Sequence, residues 1–338
     1  MICSQGSTNE TFSVGNIPSL QKNVLDLTVA ICTWNGEKRL PSLLNCLKTQ
    51  LNTQIFNWEV LIVDNNSTDG TAQVVQAYQA SWPESFPLRY QFEAQQGAAF
   101  ARHRAVKAAR SPLIAFLDDD NLPSEDWVVS VYNFGKTHPT AGVYGSRIRG
   151  EFEIEPPANF VRIAPFLALT ERGPVAHCYE PHKKVLPPGA GMVVRRQAWL
   201  ENVPSSPVLS GRTQNSMLTG EDLEAILHIQ QAGWEVWYNP DMRISHCIPS
   251  VRLQREYLIN LSRGIGLSRY RTRMLSFRVW QRPFALCLYT LNDIRKIIRH
   301  LIKYKAAVKS DVVAACEMEL YIHSLISPFY IWYRQLKW

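Results

Sequence analysis

The stretch "PLIAFLDDDN" (112–121) decides the fold, because an apolar run ends abruptly on three consecutive aspartates. The run reads as a strand buried in a sheet. Like charges this close repel, and burial deepens the repulsion, so the cluster needs a partner. Side chains alternate along an extended segment, which predicts Asp118 and Asp120 on one side and Asp119 on the other. Two carboxylates facing one point suit Mg2+ or Mn2+, hard cations that take oxygen ligands and bridge to phosphate. An acidic surface turn is the plainer alternative.

Upstream the pattern recurs. "LTVAICTWN" (27–35), "WEVLIVDNNSTDGT" (58–71) and "LRYQFEA" (88–94) read as strands, the first two running into polar residues. Helical spacing follows each: Leu40, Leu43, Leu44 and Leu47, then Val74, Val75 and Tyr78 behind a cap at Asn66 or Ser67, then the Ala-rich segment 97–110. Such alternation predicts an α/β fold with parallel strands covered on both faces. Ligands in these sheets sit beyond the carboxyl ends of the strands, where Thr33, Asn35, Asp64 and the three aspartates fall. Downstream, "VYGSRI" (143–148) and "GAGMVVRR" (189–196) read as strands around a proline-rich loop or lid over 150–188. "GEDLEAILHIQQAGW" (220–234) reads as a helix with Leu223, Ile226, Leu227 and Gln230 along one face. Residues 235–249 read as extended, and the chain from 251 as helical.

Residues 1–26 are mostly polar, lack the marks of a secretion signal and read as a loose arm. The seven cysteines are scattered without metal-site spacing, which favours reduced thiols and a cytoplasmic location. Charge divides the chain. Residues 252–338 hold 16 Lys and Arg against 5 Asp and Glu, although the whole chain carries only +7. Nucleic acid and an anionic membrane surface are the partners such a tail suits. The segment "RVWQRPFALCLYTLNDIRKIIRHLIKYK" (278–305) interleaves aromatic and aliphatic residues with Arg and Lys. Its longest uncharged run falls short of the roughly 20 residues a spanning helix needs. It fits a basic amphipathic helix on an anionic bilayer, and equally a helical layer packed on the α/β domain. The expected partner is the membrane surface, with no nucleic acid.

Other candidates each have a plain alternative. Asp64 can accept hydrogen bonds from a base or sugar, or simply end its strand in an Asx-turn. Glu221 and Asp222 open a helix, where the dipole favours carboxylates; beyond capping, one can act as general base toward an attacking hydroxyl. His246 is a structural histidine or a metal ligand from far along the chain. Gly189 and Gly191 form a turn or admit a ligand close to the backbone. No GxGxxG follows the first strand, and neither GxxxxGK[ST] nor GxSxG occurs. These absences argue against dinucleotide-binding, P-loop and serine-hydrolase chemistry.

Five stretches, "VAICTWNGEKRL", "VLIVDNNSTDGT", "GAAFARHRAVKAARSPLIAFLDDDN", "GAGMVVRR" and "GEDLEAILHIQQAGWEVWYNP", come in an order and spacing that resembles family 2 glycosyltransferases of the GT-A fold. The resemblance covers 27–250 and is similar in particular to bacterial polysaccharide-assembly transferases, the cyanobacterial kind included. It implies a Rossmann-like mixed sheet flanked by helices, divided into an arm (1–26), a catalytic domain (27–250) and a basic helical extension (251–338). It also implies a metal-dependent inverting transfer from a nucleotide-sugar donor, a UDP-sugar, to a glycan or lipid-linked hydroxyl, with Mn2+ or Mg2+ as cofactor.

By the same resemblance Thr33, Asn35, Glu37 and Asn66 line the nucleotide pocket, and Asp64 binds the base. Asp118 faces the ribose or metal, with Asp119 beside it. Asp120 and His246 hold the metal, and Arg102 contacts phosphate or sugar. Gly189, Ala190 and Gly191 form the loop beneath a sugar, and Asp222, with Glu221, matches the catalytic base. "ARHRA" departs from the family at His103, where Asn is usual, and whether Asp119 or Asp120 meets the metal stays open. Two other classes compete. A sugar nucleotidyltransferase needs a Gly-rich basic loop that "TWNGEKRL" matches poorly, and a non-catalytic carbohydrate-binding protein would not need "GED".

Overall fold

The structure, a computed structural model, describes residues 25–181, 185–213 and 216–336. Nearly all of the expected arm over 1–26 lies outside the described residues. The first half alternates as its apolar periods dictate: β1 (Leu27–Thr33), α1 (Leu40–Lys48), β2 (Trp58–Asp64), α2 (Thr71–Gln79), β3 (Leu88–Phe92), α3 (Ala98–Ala108) and β4 (Leu113–Asp118). There follow β5 (Asn121–Pro123), α4 (Trp127–Thr137), β6 (Ala141–Phe152), β7 (His177–Cys178), β8 (Val193–Arg195), α5 (Arg196–Asn202), α6 (Glu221–Gln231) and β9 (Glu235–Ile248). The tail is α7 (Arg255–Leu275), α8 (Arg282–Tyr304) and α9 (Val312–Leu336).

The strands form one sheet in the order β3-β2-β1-β4-β8-β6-β9-β5, with β7 beside β9. β3, β2, β1 and β4 run parallel, as helical crossovers require. The second half adds antiparallel strands, as the mixed sheet implied by the resemblance requires. β8 lies antiparallel between β4 and β6, and β5 antiparallel to β9, so the sheet is mixed. Consecutive residues of each strand face opposite sides. Val29 and Ile31 join a core with Leu43, Leu47 and Trp127; Ala30 joins a second with Ala101, Ala105 and Ile226. Burial on both faces explains the unbroken apolar runs.

Two local expectations need correction. Neither Asn66 nor Ser67 caps α2, whose N-cap is Gly70 without a side-chain bond. The Ser67 hydroxyl instead accepts the Asn35 N–H at 2.9 Å, and Asn66 adopts φ +62°, because this loop is tied to the loop after β1. On α6 the buried face runs through Glu224, Ala225, Ile226 and Ile229, so Leu223, Leu227 and Gln230 turn away from the sheet. The described part of 150–188 is largely irregular and lines a cavity, as a loop over a site would, and it is packed down. Phe160, Ile163 and Leu167, on two short 3-10 turns, share a core with Ile248, Leu258, Leu261, Val313 and Cys316. Among the described residues no helix is long and apolar enough to cross a membrane.

Candidate active site

Register brings the polar strand ends level. Thr33 pairs with Asp64 across β1 and β2, and Cys32 with Asp118 across β1 and β4. β4 ends at Asp118, and the chain then turns into β5. Antiparallel pairing of Asn121 with His246 carries β9 alongside, which sets His246 next to Asp120.

Each aspartate of the triplet meets its own arginine. Asp118 lies 3.8 Å from Arg102. Asp119 accepts Arg39 Nε at 2.7 Å, Arg39 Nη2 at 2.9 Å and the Thr33 hydroxyl at 2.5 Å. Asp120 lies 2.7 Å from Arg252 Nη1 and 3.5 Å from His246 Nε2. Guanidinium groups therefore relieve the repulsion posed by the sequence. Burial pushes the Asp118 carboxyl up, against Arg102 and with the Asp120 charge. Burial also works against ionisation of Asp120, but His246 when protonated, with Arg252, more than offsets it and holds its pKa below the usual range.

Asp222 begins α6. Its Oδ2 accepts the Gly189 N–H at 2.6 Å and its Oδ1 the Leu223 N–H at 2.8 Å. A Cβ on Gly189 would meet Arg102 Nη2 at 2.5 Å and Asp222 Cβ at 3.1 Å, so a larger residue there would have to push Arg102 aside. Gly191, at φ +64°, turns the same loop. Burial, then the neighbouring Glu221 charge, raises the Asp222 pKa. Glu221 itself is bound by Arg102 at 2.8 Å. Arg102, Asp118, Gly189, Ala190, Glu221 and Asp222 line one cavity of about 240 Å3.

The nucleotide candidates behave differently. Asp64 accepts the Tyr90 hydroxyl at 2.7 Å and the Ser67 N–H at 2.9 Å, so both its oxygens are engaged and the Asx-turn alternative describes its local bonding. Asn35 Oδ1 accepts the Thr68 N–H, and Glu37 the Gly70 N–H. Asn35 and Glu37 thus tie the loop after β1 to the loop after β2, whereas Thr33 donates to Asp119 and Asp64 is held by Tyr90 and its own loop. His103, the departure from the family pattern, accepts the Trp199 indole N–H at 3.2 Å and packs structurally. Asp119 and Asp120 open onto a separate cavity of about 640 Å3 with Arg39 and Arg252.

A divalent cation can be tested against these side chains. His246 Nδ1 lies 3.0 Å from the Leu167 carbonyl, so that nitrogen carries hydrogen and Nε2 presents its lone pair. A carboxylate and an imidazole suit Mn2+ or Mg2+ as two ligands, with phosphate oxygens completing the shell. Arg252 Nη1, 3.1 Å from His246 Nε2, holds that point. Among the described residues no three His, Cys, Asp or Glu side chains converge on a metal position. Asp120 and His246 are the pair that would hold such a cation, which would supply Lewis-acid chemistry beside Arg252.

Arg39, Arg212 and Arg252 are the site residues that sequence reasoning missed. Arg212 joins Asp118 and Asp222 in the smaller cavity. No spacing marks these arginines; the one available signal was that clustered carboxylates demand countercharge.

Residues 28–182 match the profile of the family described as "Glycosyl transferase family 2". The validoxylamine A glucosyltransferase of Streptomyces hygroscopicus subsp. jinggangensis (strain 5008) is 33% identical over 117 residues, 34% of this chain and 26% of that protein. The glucosyl-dolichyl phosphate glucuronosyltransferase of Haloferax volcanii is 21% identical over 248 residues, 72% of this chain and 76% of that one. This chain spans about a quarter of the length of the curated relatives it first matches. The mannosyltransferase PcManGT from Pyrobaculum calidifontis, solved with GDP-Man and Mn2+, superposes at TM-score 0.55 and 17% identity, over 88% of this chain and 86% of that one. That likeness is one of fold, the GT-A fold. Sheet order and profile agree in what this chain is similar to: residues 28–182 resemble a glycosyl transferase family 2 domain, on a sheet of the GT-A fold.

Proposed function

We propose that the chain is an inverting glycosyltransferase that moves a sugar from a nucleoside diphosphate, a UDP-sugar, onto a hydroxyl of a glycan or lipid-linked acceptor in polysaccharide or glycolipid assembly. The observation that carries this reading is Asp222, a carboxylate of raised pKa fixed by the Gly189 and Leu223 N–H groups in one cavity with Asp118 and Arg102. An acceptor hydroxyl at Asp222 gives up its proton as its oxygen bonds to the anomeric carbon. The nucleoside diphosphate leaves from the opposite face, so one displacement inverts the configuration. Glu221 is held by Arg102 and keeps Asp222 basic by its charge. Asp120 and His246 would hold a divalent cation, which supplies Lewis-acid stabilisation of the departing diphosphate. In this reading 27–250 is the catalytic unit, and 251–338 rests on an anionic membrane surface.

Asp222→Asn should lower sugar transfer by about a hundred- to ten-thousand-fold, while titration with UDP shows unchanged binding. Undiminished turnover in that variant would remove Asp222 as the base. Consumption of sugar 1-phosphate and UTP would instead mark a nucleotidyltransferase.

A further inference from the structure

A second cavity, of about 400 Å3, lies between α6, α7 and α8. Leu186, Leu223, Ile265 and Ser268 line both it and the cavity of Asp222, so the two adjoin across the first turn of α6. Asp118 and Asp120 are not among its walls. The face of α6 that turns from the sheet, Leu223, Leu227 and Gln230, forms one side.

The opposite side is cationic. Arg269, Arg273 and Lys296 line it. Arg273 is matched by Asp293 in a bidentate pair at 2.5 and 2.9 Å. Arg269 and Lys296 have no carboxylate at ion-pair distance among the described residues. Arg269 Nη1 reaches only the Ser324 hydroxyl, at 3.5 Å, and Lys296 Nζ lies over the Tyr321 ring at 5.7 Å. Burial, then the Arg273 charge, pushes Arg269 down to about 10. Burial, then Arg269, likewise lowers Lys296. Glu180, exposed at the rim, is the acid among the described lining residues. Asn292 and Thr272 add neutral polar groups. Asp293 offsets part of this for both cations, but withdrawing charge from water without a direct ion pair is costly, and a phosphate satisfies two neighbouring cations together with neutral donors.

We propose that this crevice is an acceptor subsite that binds a phosphate or diphosphate ester, so that an anionic acceptor is anchored by Arg269 and Lys296 while its hydroxyl meets Asp222. The inference rests on the transferase reading and names its acceptor class. A lipid-linked phosphate and a water-soluble phosphorylated sugar share this chemistry.

The test is calorimetric titration of the full chain with geranyl phosphate, glucose 1-phosphate and geraniol, each with and without saturating UDP. Geranyl phosphate should bind wild type in the presence of UDP, and Lys296→Gln should weaken it by about tenfold or more without changing UDP affinity or melting temperature. Geraniol should not bind. Equal binding of glucose 1-phosphate would assign a water-soluble acceptor, and a clear preference for geranyl phosphate a lipid-linked one. Arg269→Lys, which keeps the charge, guards against a folding effect and should lose less than Lys296→Glu. Absence of phosphate binding, full competition by UDP, or equal affinity in Lys296→Gln and Lys296→Glu would overturn the subsite while UDP binding still supports the transferase. Failure of wild type to bind any nucleoside diphosphate would instead strike the transferase reading.

Discussion

Arg102 is nearly buried, with Glu221 at 2.8 Å and Asp118 at 3.8 Å. It joins the first turn of α6 to the end of β4 and so sets the spacing between the candidate base and the acidic strand end. Arg102→Met would leave the Glu221 carboxylate without its partner in a buried setting. The cost should be about 3–5 kcal/mol, read as a fall in melting temperature. Arg102→Lys should recover only part of it, because one ammonium cannot reproduce a planar guanidinium shared between two acids. Asp222 makes a pH prediction. It acts as a base only when ionised, and its pKa is raised by burial and Glu221. The acid limb of kcat/KM should therefore lie above the ordinary carboxylate value of about 4. A limb at or below that value would remove Asp222 from the role. The raised pKa also means that Asp222 favours the folded state most when protonated, a contribution lost as pH rises through its ordinary value to its raised one.

At the scale of elements, α8 presents an unusual face. Phe284, Leu288, Leu291, Ile298 and Ile302 recur at helical spacing, and each is at least half exposed. Arg295 and Arg299 are exposed beside them, whereas Asp293, the acid of this helix, is buried against Arg273. An apolar stripe flanked only by cations complements an anionic bilayer. The sequence left this arrangement level with a packed helical layer; α8 supports both, since Ala285, Asp293 and His300 are buried. Leu288→Asp with Leu291→Asp should abolish flotation with vesicles rich in phosphatidylglycerol at low salt, without a loss of melting temperature. Wild-type flotation equal on neutral phosphatidylcholine, or undisturbed by the two aspartates, would refute the electrostatic docking. Strand and helix positions were legible because burial imposes a period. α6 shows the limit: its periodic face was visible, but which side faced the sheet was not, since Glu224 is buried by pairing with Arg271 at 2.8 Å.

For the whole molecule, the tail and the segment over the site share one core. Phe160, Ile163 and Leu167 pack with Leu258, Leu261 and Val313. Removing 278–338 would take Val313 and Cys316 from that cluster, so truncation should destabilise the cover of the active site as well as any membrane contact. Leu258→Ala, a smaller perturbation, should cost about 2–5 kcal/mol. A melting temperature unchanged by Leu258→Ala would show that the cluster is not a stabilising core. The segment reads as a loop because its prolines break every period and its apolar residues are too few to register alone. They gain meaning only against helices far along the chain.

By itself the sequence determined the sheet, its first helices and the clustering of acids at the strand ends. Those features follow from local periods of apolar residues and from the rule that such strands deliver their carboxyl ends to one edge. Tertiary structure alone decided that Gly189 gives its N–H to Asp222 and that each aspartate of the triplet has its own arginine, whereas the resemblance had already implied His246 beside Asp120. A lone charged residue has no period. Its partner is fixed only when antiparallel pairing and long-range packing bring distant segments within hydrogen-bond reach.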